Sequence, residues 1–193
     1  YGISCEQWET YGTCRNKHCT PSCKTLITSH KEQCDLLEKL REIPGVKRIF
    51  IGSGIRYDLA LADDADYLRT ICNHHVSGHL KVAPEHIAKK VTGIMNKPDR
   101  EVFDRFRDQF ETLQIGKKSR QYLLPYFMSG HPGCTLKDMI ELALYIRDNR
   151  LYTEQVQDFT PTPMSVSTCM YYTGLNPFTL EPVHVPKCQE KKI

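Results

Sequence analysis

Residues 121–135, QYLLPYFMSGHPGCT, admit few backbone courses. Tyr122 to Met128 is a short apolar run that reads as a buried strand, and it stops at Ser129-Gly130-His131-Pro132-Gly133. Thr135 then opens an apolar-periodic helix from Leu136 to Ile146, and Thr135 with Asp138 has capping-box spacing. Gly130 and Gly133 let the main chain bend sharply and approach a ligand closely. One such unit is an ordinary strand-to-helix turn. This chain repeats the arrangement.

Ser29 and Glu32 have the spacing of another capping box, opening a helix to about Arg41 with Leu36, Leu37 and Leu40 on its apolar face. Pro44-Gly45 ends it. Residues 46–51 read as a strand, followed by the loop GSGIRYD. A helix over about 64–74 leads to a strand over 78–82 that ends in Ala83-Pro84-Glu85-His86. The next helical region runs to about Leu113 and breaks near Met95-Asn96-Lys97-Pro98, since proline disfavours helix just before it. Phe103, Phe106 and Phe110 have helical spacing and read as core. After the 121–149 unit comes a fourth strand, 154–159, leaving through TPTP. The region from Tyr171 onward, with Gly174, Pro177, Pro182 and Pro186, reads as loop or linker.

The pattern is β-α-β-α-β-α-β with strands about 30–40 residues apart, which favours a parallel sheet with right-handed crossovers. Ligands of such sheets sit at the carboxyl ends of the strands. All four strand ends here carry unusual chemistry: GSGIRYD, APEH, SGHPG and FTPTP. A closed eight-unit barrel takes about 250 residues. Four units cannot close, so the expectation is part of a barrel with an open edge.

Composition narrows the class. The 193 residues are 40% hydrophobic and 25% charged, which suits a globular domain. A net charge of +3 without a long basic run gives no nucleic-acid track. No apolar run approaches the roughly 20 residues that cross a bilayer, and the polar start does not read as a secretory leader, although targeting is not legible from this end. The first methionine is Met95, so a piece of a longer chain is expected. Nine cysteines, an odd number at modest density, suit reduced thiols and a cytoplasmic location. Residues 1–28 hold Cys14, Cys19 and Cys23, which could bind zinc or an iron–sulfur centre or form a Cys-rich surface loop.

The segments IGSGIRYDLA, HLKVAPEH, IMNKP, LPYFMSGHPGCT and QDFTPTPMSVSTCMYYTG, in this order, resemble the radical S-adenosylmethionine (radical SAM) superfamily and, within it, the YgiQ-like subfamily. The resemblance covers nearly the whole chain. It implies an α/β fold: a parallel-stranded partial (βα)6 TIM-like barrel with its last four units at 29–170. A Cys-rich segment at 1–28 would precede it, and a linker at 171–193 would follow. It implies cofactor contacts from Ser53 and Arg56 on the third barrel strand and from Lys81 and Glu85 on the fourth. Ser129, Gly130, His131, Pro132 and Gly133 would serve on the fifth, and Gln157, Asp158 and Phe159 on the sixth. Related enzymes often carry Glu where this chain has Cys134.

The superfamily's C-x3-C-x2-C cluster motif does not match Cys14, Cys19 and Cys23, so the resemblance places the [4Fe-4S] ligands upstream of Tyr1. The implied activity of the intact protein is reductive cleavage of SAM to a 5′-deoxyadenosyl radical. It would need an electron donor and a substrate that the sequence does not identify, and this chain alone would be inactive. The alternative is a stand-alone zinc-binding or interaction module without catalysis, in which Glu85 merely complements a helix N-terminus and Cys134 is a small buried residue.

Overall fold

The computed structural model describes residues 5–11, 21, 23–63, 66–151 and 156–186. It is a mixed α/β structure with a small parallel sheet of three strands in the order β1-β2-β3. The elements are α1 (Glu6–Tyr11), α2 (Lys31–Arg41), α3 (Tyr57–Leu61), α4 (Tyr67–His74), β1 (His79–Glu85), α5 (Lys89–Met95), α6 (Arg100–Thr112), β2 (Tyr122–Ser129), α7 (Leu136–Asp148), β3 (Val156–Asp158) and α8 (Val166–Thr173). They fall into two compact units, residues 1–82 with 102–123, and residues 83–101 with 124–193.

In the first unit the helical spacing of Phe103, Phe106 and Phe110 delivers all three rings to the core. Tyr57 meets Phe103 edge-on at 5.7 Å and lies 5.8 Å from Phe106. Each fully buried ring contributes about 1.5–3 kcal/mol of transfer free energy. Tyr57 opens α3, a helix of five residues that begins within the last two residues of the stretch expected to be loop. The Ser29–Glu32 capping box does not form. His30 takes the N-cap position, and its Nδ1 lies 2.8 Å from Asp63 Oδ2 while its ring stacks on Tyr67 at 3.9 Å. Only Leu37 of the expected apolar face of α2 is buried, and Leu36 stays exposed.

The expected strand at 46–51 is corrected to irregular chain without a ladder. Its polar groups go elsewhere: Ile51 N–H donates to the carbonyl of His75, and His75 Nδ1 lies 2.9 Å from the carbonyl of Ile49. A strand persists only where a neighbour takes its hydrogen bonds. Here a parallel bridge comes later, between Ile55 and Val82 on β1.

In the second unit α7 begins as the sequence requires. Thr135 accepts from the amide of Asp138, and the Asp138 carboxylate accepts from the amide of Thr135 at 2.7 Å. Burial raises the Asp138 pKa, but the Thr135 hydrogen bonds and Lys90 outweigh it and hold the carboxyl below its ordinary value. Helices α5 and α7 pack through Val91, Cys134, Met95 and Met139. β2 and β3 pair in parallel register, Phe127 with Val156, Met128 with Gln157 and Ser129 with Asp158. Residues 171–186 belong to this unit, and α8 continues through Thr173. Among the described residues no helix is long and apolar enough to cross a membrane.

Candidate functional site

β1 runs three residues past its expected end, through Ala83-Pro84-Glu85. It stops in a three-residue turn closed by His86 N–H donating to the carbonyl of Pro84 at 2.8 Å. Glu85 at the apex has φ +64°. An i to i+2 hydrogen bond around a positive φ is the strained hand of the γ-turn, and a non-glycine residue held there costs on the order of 1–3 kcal/mol. Two side chains brace the turn. The buried His86 accepts the amide of Ala88 on Nδ1 at 3.0 Å. Lys97 Nζ donates to the carbonyl of Ala83 at 3.4 Å and to Glu85 Oε1 at 3.3 Å.

The His86 ring is neutral. Burial is the main cause, opposed by Asp138 and reinforced by His131, and the pKa falls to about 4. With Nδ1 accepting, the proton sits on Nε2, which faces Cys134 Sγ at 3.7 Å. Burial likewise pushes the Cys134 thiol up to about 11. The pair is an uncharged, packed contact, which suits a small buried residue rather than a nucleophile.

The tip of β2 bends through Gly130 at φ +68° and Gly133 at φ +89°. Gly133 N–H donates to the carbonyl of His184 at 2.6 Å, and Cys134 N–H to that of His131 at 2.9 Å. His131 is buried; its Nδ1 lies 2.7 Å from the Pro132 carbonyl and so carries the proton, leaving Nε2 to accept from Ser167 Oγ at 2.8 Å. Burial lowers its pKa, with the Pro132 contact opposing. The imidazole is a neutral structural tie between the glycine corner and α8.

At the tip of β3 the hydroxyl of Ser129 hydrogen-bonds Asp158 Oδ1. Phe159 N–H donates to the carbonyl of Ser129 at 2.8 Å, and its buried ring meets His131 edge-on at 5.1 Å. Gln157 is exposed on β3. A cavity of about 330 Å³ opens here, with Ser129, Asp158, Thr135 and His184 as its polar groups and Met139 and Ile140 on its apolar side. That volume and mixture suit a small organic ligand with a few polar groups.

Of the expected site residues, the structure brings Ser129, Gly130, Asp158 and Phe159 together and places Glu85 at the end of the neighbouring strand. His131, Pro132 and Gly133 are buried behind the corner. Ser53, Arg56 and Lys81 belong to the first unit. There Ser53 is exposed, and Arg56 is committed to a two-point pair with the buried Asp58. Cys14 and Cys19 lie outside the described residues. Cys23 hydrogen-bonds Thr25, and that contact lowers its pKa. Lys97, Ser167 and His184 were not expected at the site. Lys97 and Ser167 lie in segments that carry the family resemblance, and Lys97 also sits in the Met-Asn-Lys-Pro helix break, whose Asn96 takes φ +60°.

The chain is similar in sequence to a family model and to several curated proteins. The family described as "Domain of unknown function (DUF3362)" matches residues 154–193. The chain is 55% identical over 194 residues to a UPF0313 protein of Methanosarcina acetivorans, covering 100% of this chain and 26% of that one. It is 51% identical to a UPF0313 protein of Methanocella arvoryzae, covering 100% of this chain and 32% of that one. It is also 51% identical over 192 residues to one of Clostridium botulinum, covering 98% and 30%. The chain thus spans between about a quarter and a third of the length of these curated relatives.

Proposed function

We propose that this chain is part of a radical SAM enzyme domain and supplies one wall of a SAM site. The observation that carries the reading is the row of tips in the second unit. Glu85, the Ser129-Gly130 corner and Asp158-Phe159 follow one another at the carboxyl ends of adjacent parallel strands. Sequentially ordered parallel strands are what successive βα units of a barrel give, and carboxyl ends are where such folds bind ligands.

The residues present suit SAM. Its sulfonium, ammonium and ribose hydroxyls call for a carboxylate, and Glu85 offers one at a tip. An adenine edge calls for main-chain groups beside an apolar wall, and the Gly130 corner lacks a side chain that would obstruct it. The [4Fe-4S] cluster is a different case. Among the described residues no three His, Cys, Asp or Glu side chains are grouped to hold a metal. The reading assigns its ligands upstream of Tyr1. Once bound beside such a cluster, SAM would supply a 5′-deoxyadenosyl radical by reductive cleavage. This chain would bind the nucleoside, fix its orientation and exclude water.

The intact protein tests the reading. After anaerobic reconstitution and reduction, a [4Fe-4S] signal in electron paramagnetic resonance that changes on adding SAM, with 5′-deoxyadenosine formed, is the expected result. A metal-free protein, or stoichiometric zinc at Cys14, Cys19 and Cys23 with no response to SAM, would overturn it.

A further inference from the structure

We infer that Lys97 is a positioning residue: it holds the Glu85 carboxylate at the tip of β1 in its ligand-binding orientation. The inference rests on the SAM-site reading and adds to it a residue that contacts no ligand.

A carboxylate at the end of a strand ordinarily follows the strand's alternation, pointing to one face. Glu85 keeps the alternating exposure of β1, but its φ of +64° takes its backbone out of the strand region. Such a conformation lasts only if its surroundings over-determine it. Lys97 does so from twelve residues away. Its ammonium binds main chain and side chain of the same turn, the carbonyl of Ala83 and Oε1 of Glu85. Asn96, at φ +60°, ends α5 and delivers Lys97 to that point. Pro98 then keeps the chain out of helix until α6. Lys97 engages Oε1 of the carboxylate, which in the SAM-site reading leaves Oε2 for the ligand. The pair is only partly exposed, the Glu85 side chain at 20% and that of Lys97 at 35%, so it is screened less than an open surface pair.

The test is equilibrium dialysis of labelled SAM against the reconstituted intact protein and its variants. Lys97→Met should weaken binding by about tenfold, the scale of a hydrogen bond to a charged group. Lys97→Arg should restore it to within about threefold, since the charge and both donors return. Glu85→Gln should weaken binding similarly, and the double variant should lose no more than the larger single loss, the mark of two residues acting as one. If Lys97→Met fails to fold, Lys97→Gln takes its place in the cycle. Losses that multiply in the double variant, or a Lys97 variant that binds as tightly as the parent while Glu85→Gln does not, would overturn the positioning role and leave the SAM site standing. A parent protein that binds no SAM would overturn both.

Discussion

Nε2 of His86 lies 3.7 Å from the sulfur of Cys134, and neither group carries charge at neutral pH. The contact joins the residue after the strained turn of β1 to the residue after the glycine corner of β2. Two strand tips that form the candidate site are therefore braced from behind by one dry contact.

Because Cys134 is 2% exposed with its thiol pushed up to about 11, it should resist alkylation. Cys72 is buried with the same rise and should behave likewise. Iodoacetamide at pH 8 followed by peptide mass spectrometry should label the exposed Cys169 in the folded protein and reach Cys72 and Cys134 only in denaturant. Rapid native labelling of Cys134 would contradict the packing described.

His86 should make the protein acid-sensitive. Its folded pKa of about 4 lies below the ordinary 6.5, so the unfolded chain binds the extra proton first. The stability it contributes is complete above pH 6.5 and is lost as pH falls toward 4. At about 1.4 kcal/mol per pH unit, the whole separation is worth on the order of 3 kcal/mol. His86→Asn keeps an acceptor for the Ala88 amide and does not titrate. In urea melts at pH 7, 5.5 and 4, the parent should lose more stability over this range than the variant.

Glu85 should reverse the usual order of glycine and alanine. Away from special backbone conformations glycine is the less stable by about 0.5–1 kcal/mol. At φ +64° the penalty falls on any residue with a Cβ. Glu85→Gly should therefore be more stable than Glu85→Ala by about 1 kcal/mol, read from denaturant midpoints, and on the proposed SAM-site reading both should weaken SAM binding.

Gly133→Ala separates strain from crowding. A Cβ there would lie 2.4 Å from Ile94 Cδ1, the far end of a flexible side chain, and the backbone stands at φ +89°. The cost should be about 1–2 kcal/mol and should come from the backbone. Adding Ile94→Val to Gly133→Ala should recover little of it. Full recovery in the double variant would show that crowding dominates.

The locally encoded parts were legible in the sequence. α7 with its Thr135–Asp138 cap, β2 and the Phe103-Phe106-Phe110 face follow from short-range spacing, and they stand as expected. Features that depend on a distant partner were not. Residues 46–51 have a strand's composition, but their hydrogen bonds go to His75. Ser29 has a cap's spacing, yet Asp63 draws His30 into the position. The turn at Glu85 carries no glycine to announce it, and the lysine that braces it was legible as part of a helix break and of a resemblance segment, not as a partner of Glu85. Of the candidate site, the glycine corner and the tips of β2 and β3 could be read directly, because Gly and Pro mark them. The brace behind them could not, because His86, Cys134 and Lys97 meet only when the chain folds.

The hydrogen bond from Gly133 to the carbonyl of His184 bears on where this protein can be cut. The family match begins at residue 154, just before β3, and takes in α8 and the chain beyond it. Yet β3 has its ladder partner in β2, Ser167 answers His131, and His184 answers the corner. A polypeptide starting at 154 would be severed from all three anchors, so a boundary useful for sorting sequences is no seam along which this fold comes apart.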